Sequence, residues 1–221
     1  MPTDLLTVVQ CWDDGVTADV RLTEILRRHD AKATFNLNAG LHEPHRKVHW
    51  IYQGQEVARL GWDEMRDVYA GFAIANHSLT HPYLDQMPEQ AARCEIVEGR
   101  DRLEQFFGQQ VHGFVYPFGR YNASVMNAVR EAGHVYARTA DSAERAFPPH
   151  DAMAFHPSCH FLAPDFWAGY ERARAGGVFY FWGHAYEIST NAMWTAFEDA
   201  IAGISADPAA RWADVVELFD R

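Results

Sequence analysis

The chain has 221 residues, 48% of them hydrophobic and 22% charged, so it can bury a sizeable core and is not an intrinsically disordered polypeptide. Its formal net charge of -11 opposes binding to nucleic acids and to anionic membrane surfaces, because both are themselves negatively charged. The length suits a single α/β domain, and the 3 widely separated cysteines argue against a disulfide framework.

The first predicted element is a buried strand, because the run from Leu5 to Val9 is largely apolar. Two adjacent carboxylates, Asp13 and Asp14, then leave the carboxyl end of this strand, where parallel α/β folds build their sites. Successive side chains point in different directions there, so one carboxylate can bind a metal while its neighbour faces a metal-bound water. An Asp-Asp-Gly turn that only caps the next helix is the alternative.

The next predicted elements are a helix from about Ala18 to His29, with apolar residues on one face, and a strand from Lys32 to Leu37. The residues from about Leu41 to Asp63 show no clear period. We interpret them as an irregular insertion, either a plain loop or a flap over the site.

Two histidines follow the apolar run from Phe72 to Ala75, at the end of another predicted strand. His77 and His81 are four residues apart and would share one face if the segment turns helically, which is a spacing typical of metal ligands. With Asp14 they form a set of two histidines and one carboxylate, which leaves coordination positions open for water and substrate. Because the chain has 12 histidines, a chance pair of core or surface histidines is the alternative.

The segment after these histidines predicts a long helix that begins near Pro88, since Ile96, Leu103 and Phe107 recur at helical spacing. Glu98 and Arg102 could form an exposed pair on this helix. Two further strands are predicted over Val111–Tyr116 and Val135–Thr139, with a helix over Ala123–Ala132 between them. Tyr116, Pro117, Phe118 and Gly119 have by themselves the composition of an ordinary turn.

The last third of the chain contains one more strand with a polar end. Two histidines in the segment from Phe155 to His160 could serve as a rim contact or a second metal site, and surface loop histidines are the favoured interpretation. The apolar run from Val178 to Gly183 predicts a buried strand that ends at His184. A helix is then predicted from Ala192 to Ala202, and a last helix or strand from Trp212 to Phe219.

Strands and helices alternate without a linker or an internal repeat, which predicts one domain over residues 1–221 and a distorted, incomplete α/β barrel. No segment approaches the length of a transmembrane helix. The residues Met1 to Asp4 contain no basic group and no long apolar stretch follows them, so we expect a cytoplasmic protein, although a clone that lacks its leader would give the same pattern.

Taken together, these motifs resemble the polysaccharide deacetylase family, the NodB-homology or carbohydrate esterase family 4 hydrolases, and they occur in the family's order over almost the whole chain. The motifs that carry the resemblance are Cys11 to Gly15 for the family's TFDDG, Leu26 to Gly40 for its second strand and approach, His77 to His81 for H(S/T)xxH, Val115 to Gly119 for an RPPYG-like turn, and Val178 to His184 for the last strand and its histidine. The resemblance implies a distorted, incomplete (β/α)7 barrel.

The resemblance also implies a role for each motif residue. Asp14, His77 and His81 would hold one divalent cation, with zinc as the first expectation and cobalt, nickel or manganese as compatible alternatives. Asp13 would be the catalytic base and His184 the catalytic acid, since an amine leaves only when it is protonated. The turn formed by Tyr116, Pro117 and Phe118 would contact the substrate, with the Phe118 backbone N–H stabilising the oxyanion.

The chain departs from the family pattern at two places. Val115 stands where many members carry an arginine that orients the catalytic aspartate, and Arg138 is our candidate to replace it, with an exposed strand arginine as the alternative. The DxxDW-like string expected after Thr139 is absent. Asp141 and Glu187 are therefore our candidates for the carboxylate that tunes His184, unless both are simply solvated.

The function we expect from this pattern is removal of an acetyl or formyl group from the amide nitrogen of an amino sugar or polysaccharide, by a metal-dependent hydrolase. The partners would be an N-acylated amino sugar or a small amide, and the oligomeric state is left open. Three alternatives stay: hydrolysis of linear or cyclic non-peptide amides on the same fold, a degenerate metal- or sugar-binding module, and a ferrous oxygenase, for which no motif marks a co-substrate site.

Overall fold

The fold is built on a parallel sheet whose central strand ends at the first carboxylate of the predicted site. A computed structural model describes residues 5–143, 147–175 and 177–219, so the first four residues, on which the expected location depends, lie outside the described part. The strands are β1 (Leu6–Asp13), β2 (Thr34–Leu37), β3 (Lys47–Tyr52), β4 (Gln55–Arg59), β5 (Ala73–Asn76), β6 (Gly113–Val115), β7 (Tyr136–Arg138), β8 (Cys159–His160), β9 (Val178–Gly183) and β10 (Ala210–Trp212). The helices are α1 (Asp19–Arg28), α2 (Trp62–Val68), α3 (Glu89–Phe107), α4 (Ala123–Glu131), α5 (Phe166–Ala173) and α6 (Asn191–Ser205).

The main sheet has the strand order β7-β6-β5-β2-β1-β9-β8, and all of these neighbours are parallel. β1 pairs with β10 through its first residues, Leu6 to Val8, and with β2 through its last residues, Cys11 to Asp13. Between β7 and β8, Phe155 forms a single parallel bridge with Arg138, so the sheet curves far enough to bring its two ends together without regular pairing across the gap. This arrangement confirms the expected distorted, incomplete (β/α) barrel.

A parallel barrel places the carboxyl ends of all its strands at one rim. The residues that follow β1, β5, β6 and β9 therefore meet there, although 171 positions separate Asp13 from His184 in the sequence. The strands lie in the interior, as expected for a parallel sheet covered on both faces: every residue of β1 is buried, as are those of β2 and β6.

Helices α1 and α6 cover the outer face of the barrel near β1. Leu22, Ile25 and Leu26 of α1 are fully buried, as its periodicity predicts, and the ring of Phe197 from α6 meets that of Trp12 edge-on at 5.3 Å. Within residues 5–143, 147–175 and 177–219, the structure contains no helix with the length and hydropathy needed to span a membrane.

The insertion from Leu41 to Asp63 is the main difference between the sequence-based expectation and the structure. It is not irregular, because β3 and β4 form an antiparallel hairpin and α2 begins at Trp62. The connecting residues Gln53 and Gly54 both have positive φ, at 48° and 80°, which suits a tight hairpin turn.

Two smaller corrections concern the last third of the chain. Helix α5 does not appear among the predicted elements, since it is short and its apolar residues are mixed with polar ones. The predicted helix or strand from Trp212 to Phe219 is divided: the strand β10 ends at Trp212 and a 3-10 turn covers Val215–Leu218. The other predicted helices and strands are present, with ends that differ by a few residues.

Candidate active site

Asp13 ends β1 as a buried carboxylate with two polar partners. Its Oδ1 accepts a hydrogen bond from Asn36 Nδ2 at 2.6 Å, and its Oδ2 accepts one from a guanidinium nitrogen of Arg138. Burial by itself would raise the pKa of Asp13, but the charge of Arg138, together with His77, His184 and the hydrogen bond from Asn36, lowers it, and the pKa lies well below its usual range. The side chain is therefore ionised at any ordinary working pH.

Arg138 is as deeply buried as the carboxylate that it contacts, with a relative exposure of 2%. Its guanidinium lies between Asp13 and the ring of Trp182, whose centroid is 4.2 Å away. The exposed strand arginine that we considered as an alternative is therefore wrong. β7 and β6 are neighbours in the sheet and their register pairs Arg138 with Val115, which explains how a guanidinium from β7 can reach the carboxylate when β6 carries none.

The side-chain partners of Asp14 differ from those of Asp13. Its backbone adopts φ of 84°, and its Oδ1 accepts a hydrogen bond at 3.2 Å from Arg59 Nη2, while the same guanidinium also donates to the Asp14 carbonyl. Burial would raise the pKa of Asp14, but the charge of Arg59 and the neighbouring imidazoles of His184, His77 and His81 together lower it. Arg59 ends the hairpin strand β4, so the insertion that we interpreted as a plain loop or a flap holds a residue of the site in place.

His77 and His81 lie on a loop, not on a helical turn, because Ser78 and His81 both adopt positive φ. The loop is held by Asn38, whose Nδ2 donates to the His77 carbonyl, and by Ser78 Oγ, which accepts from the His81 backbone N–H at 3.0 Å. The conditional expectation of a shared helix face is therefore wrong, although both imidazoles reach the same place: their ring centroids are 4.7 Å apart.

Asp14, His77 and His81 fit a divalent cation by the chemistry of their donor atoms. One ligand atom from each side chain lies within 4.8 Å of the other two. His77 Nδ1 lies 2.8 Å from the Val115 carbonyl, which can only accept, so Nδ1 carries the proton and Nε2 keeps its lone pair. Burial lowers the pKa of both histidines, that of His77 to about 4, and so keeps them neutral, the form that binds metals.

His184 stands opposite the carboxylates, with its Nε2 3.8 Å from Asp13 Oδ2 and 4.0 Å from Asp14 Oδ2. Its Nδ1 and its backbone nitrogen both lie 3.1 Å from Glu187 Oε2. Burial would lower the pKa of His184, but Glu187 and Asp13 raise it overall. The carboxylate of Glu187 fixes the proton on Nδ1, so Nε2 is the nitrogen that can exchange a proton with a bound molecule.

Glu187 is in turn held by His160, and the structure separates it from the other candidate. His160 Nε2 lies 2.9 Å from Glu187 Oε2, whereas Asp141 is exposed. His160 Nδ1 accepts from the Leu162 backbone N–H at 3.2 Å, so its proton lies on Nε2 and points at Glu187. Both nitrogens of His160 are therefore engaged without a metal ion. The interpretation as a surface loop histidine is wrong for His160.

His156, the other histidine of that segment, has its Nδ1 2.5 Å from Thr139 Oγ1. This contact joins the segment before β8 to the end of β7, and it does not involve the carboxylates of the site. This contact helps to bridge the gap in the barrel that the Phe155 bridge begins to close.

The turn after β6 presents Phe118 at the rim. Phe118 adopts φ of 58°, its side chain is 50% exposed, and its ring stacks on that of Tyr83 with centroids 4.0 Å apart. Tyr116, by contrast, is buried and its hydroxyl donates to the Met153 carbonyl at 2.8 Å. The phenol of Tyr116 is therefore occupied within the core, and Pro117 is buried at the start of the turn.

Three residues that contact the site were not singled out from the sequence: Asn36, Asn38 and Arg59. His160 was considered as a rim contact, but its role as a partner of Glu187 was not predicted. The two asparagines carry a signal that could have been used, since they alternate with apolar residues at the carboxyl end of β2. Arg59 has none, because nothing in the local pattern shows that the hairpin folds back onto Asp14.

Comparison with known proteins gives a family model that matches the first part of the chain. Residues 2–137 match the family model described as Polysaccharide deacetylase, a range that contains Asp13, Asp14, His77, His81 and the turn at Phe118 but ends before Arg138 and His184. An uncharacterized protein of Streptomyces coelicolor is 32% identical over 63 residues, which are 28% of this chain and 25% of that protein. The chain thus spans only a part of this relative.

Solved structures with the same fold include a putative polysaccharide deacetylase from Mycobacterium smegmatis, with a TM-score of 0.72 at 16% identity over 99% of this chain and 90% of that one. A CE4 family pseudoenzyme from Bacillus anthracis gives a TM-score of 0.63 at 16% identity over 99% of this chain and 66% of that one. At such identities the likeness concerns the fold, and the chemistry has to be argued from this chain's own residues.

The donor set predicts one metal site per chain. We expect the purified protein to bind one zinc or cobalt ion, and His81→Gln to weaken that binding by roughly 100-fold or more, because one of three protein ligands is lost. His160→Gln is the matched control, since it changes a nearby histidine that contacts Glu187 and lies outside the Asp14, His77 and His81 set. Metal analysis after dialysis and the absorption spectrum of the cobalt form measure metal binding by the wild type and by both variants. A His160→Gln protein that loses its ion would contradict the assignment.

Proposed function

Because this chain belongs to the polysaccharide deacetylase family, we propose that it is a metal-dependent hydrolase that removes an acetyl or formyl group from the nitrogen of an amino sugar in a glycan. The observation that carries the proposal is that the buried, ionised carboxylate of Asp13 and the exchangeable nitrogen of His184 lie 3.8 Å apart, beside the Asp14, His77 and His81 donor atoms. Hydrolysis of an amide needs such a pair, one group to accept a proton and one to donate it.

A divalent cation held by Asp14, His77 and His81 would polarise the acyl oxygen and lower the pKa of a bound water toward about 7. Asp13 would accept the proton of the attacking water, and its contacts with Arg138 and Asn36 keep it ionised and oriented for that purpose. His184 would donate the proton on Nε2 to the leaving nitrogen, since Glu187 holds its other nitrogen.

The turn at Phe118 would supply the remaining group that the reaction needs. A backbone N–H that points at the developing oxyanion lowers the barrier most when it is fixed in place beforehand. The positive φ of Phe118 and its contacts with His81 and Tyr83 fix this turn at the rim. In this proposal the backbone of the turn, and not the occupied phenol of Tyr116, contacts the substrate.

The alternative of a degenerate binding module was based on the missing family arginine. Arg138 supplies the positive charge beside Asp13 from β7, so the argument for lost turnover is weakened. The ferrous oxygenase has no support beyond the shared ligand types.

The first test is the base. In Asp13→Asn the amide keeps the shape and the contact with Asn36, but it cannot accept a proton, so we expect acetate release to fall by roughly 1,000-fold or more while one metal ion stays bound. The substrates are N-acetylglucosamine and its β-1,4 oligomers, with acetate and formate measured enzymatically. A metal-loaded wild-type protein that releases no acyl group from any amino sugar or simple amide would leave the binding module as the better account.

The second test concerns Arg138. Arg138→Met removes the charge and leaves the carboxylate of Asp13 buried without a cation, so we expect the free energy of unfolding to fall by about 3–5 kcal/mol and kcat by roughly tenfold or more. Urea unfolding and acetate release measure the two effects.

The double variant Asp13→Asn/Arg138→Met separates charge pairing from packing. Because neither charge remains, it should recover most of the stability lost in Arg138→Met. If it does not, packing against Trp182 explains the burial of Arg138, and the positioning role is contradicted.

The third test compares the two carboxylates that could tune His184. Glu187→Gln removes the charge beside Nδ1 of His184, so we expect kcat to fall by roughly tenfold or more with KM little changed. The reason is that the substitution weakens His184 as a proton donor, and His184 acts in the proton transfer step. Asp141→Asn is the matched control and should leave kcat unchanged. The reverse pattern would exclude Glu187 as the partner of the catalytic acid.

A further inference from the structure

A buried arginine of the hairpin contacts two of the segments that carry the candidate metal ligands. Arg59 is the last residue of β4 and has a relative exposure of 5%. Its guanidinium contacts Asp14 and also the side chain of Asn38. We propose that Arg59 is a positioning residue for the metal, which fixes Asp14 as a ligand with one free oxygen and joins it to the loop of His77. The inference rests on the metal site of the proposed function.

The first part of this role concerns the backbone of Asp14. Its φ of 84° lies in the left-handed region, which is uncommon for a residue other than glycine. Such a conformation persists only where the surrounding structure holds it. The Asp14 N–H donates to the Asn36 carbonyl at 3.0 Å, and the guanidinium of Arg59 donates to the Asp14 carbonyl. Both polar groups of the Asp14 backbone are therefore held, one by β2 and the other by the hairpin.

The second part concerns the carboxylate of Asp14. Its Oδ1 accepts a hydrogen bond from Arg59 Nη2 at 3.2 Å, whereas its Oδ2 faces the reacting centre, 4.0 Å from His184 Nε2. Because Arg59 holds Oδ1, we expect Asp14 to bind a cation through Oδ2 alone. Binding through a single oxygen leaves the open coordination positions that water and substrate need.

The third part is a connection to the histidine ligands. Arg59 Nη1 donates to Asn38 Oδ1 at 3.2 Å, and Asn38 Nδ2 donates to the carbonyl of His77. A guanidinium can only donate and a carbonyl can only accept, so these two partners fix the orientation of the Asn38 amide. One guanidinium thus joins the end of β1, where Asp14 lies, to the loop that carries His77 and His81.

The hairpin can hold Arg59 in place because it is anchored to the residues that follow β1. Leu60 donates its backbone N–H to the Gly15 carbonyl at 2.9 Å, and Arg59 itself forms a single antiparallel bridge with Val16. The ring of Trp50, on the partner strand of the hairpin, lies 5.3 Å from the guanidinium of Arg59. The arginine is therefore ordered before any ion binds, which is what a residue that orients a metal ligand requires.

The charge of Arg59 by itself predicts the opposite effect on metal binding. A guanidinium beside a ligand repels a divalent cation, so its removal would tighten metal binding if the charge alone mattered. A positioning role predicts weaker binding after removal, because contacts that orient a metal ligand typically contribute roughly 10–100-fold to metal affinity. The two explanations therefore differ in the direction of the change.

The test replaces Arg59 by lysine and by methionine and measures the dissociation constant of zinc by competition with a chelator. Arg59→Lys keeps the charge but loses the planar fork that reaches Asp14 and Asn38 together. We expect both variants to bind zinc roughly tenfold or more weakly than the wild type, with a changed absorption spectrum of the cobalt form. Arg46→Met is the matched control and should bind zinc as the wild type does, because Arg46 lies in the same insertion but is exposed and pairs with Glu64.

Wild-type affinity in Arg59→Lys, or tighter binding by Arg59→Met, would overturn the positioning role. If urea unfolding shows that Arg59→Met does not fold, Asn38→Ala takes its place, since it leaves the charged pair intact and breaks the connection to the His77 loop. We expect Asn38→Ala to bind zinc roughly tenfold more weakly, and an unchanged affinity would overturn the connection. These affinities are measured without turnover, so a wild type that binds zinc but releases no acyl group contradicts the proposed deacetylase and leaves this inference standing.

Discussion

The charged pair of Asp13 and Arg138 inside the barrel is the constraint on which the rest of the site depends. A carboxylate removed from water is stable only if a cation and hydrogen-bond donors replace its hydration, and here Arg138 and Asn36 do so from the neighbouring strands β7 and β2. The pair also requires that β7 and β1 approach each other across the barrel, so the curvature of the sheet and the ionisation of the proposed base are linked.

The second carboxylate depends on a different part of the chain. Asp14 contacts Arg59, which belongs to the hairpin inserted after β2. The insertion thus stabilises a proposed metal ligand.

The proton on the other side of the site is controlled by a chain of hydrogen bonds that begins in the backbone. The Leu162 N–H fixes the proton of His160, His160 donates to Glu187, and Glu187 holds Nδ1 of His184. The family's usual carboxylate string is missing after Thr139, and the carboxylate that contacts His184 here belongs to a glutamate three residues beyond it, which is also held by an imidazole from a neighbouring strand.

The sequence by itself determined the barrel class, the Asp13–Asp14 pair, the two histidines after β5 and the histidine after β9, because each follows an apolar run and strand ends of a parallel barrel share one rim. It also indicated Arg138 as the replacement for the missing arginine. Only the tertiary structure decided between Asp141 and Glu187, showed that His77 and His81 lie on a loop, and brought Arg59 and His160 to the site. These contacts join residues that are distant in the sequence, and local periodicity contains no information on which loop folds back onto which strand end.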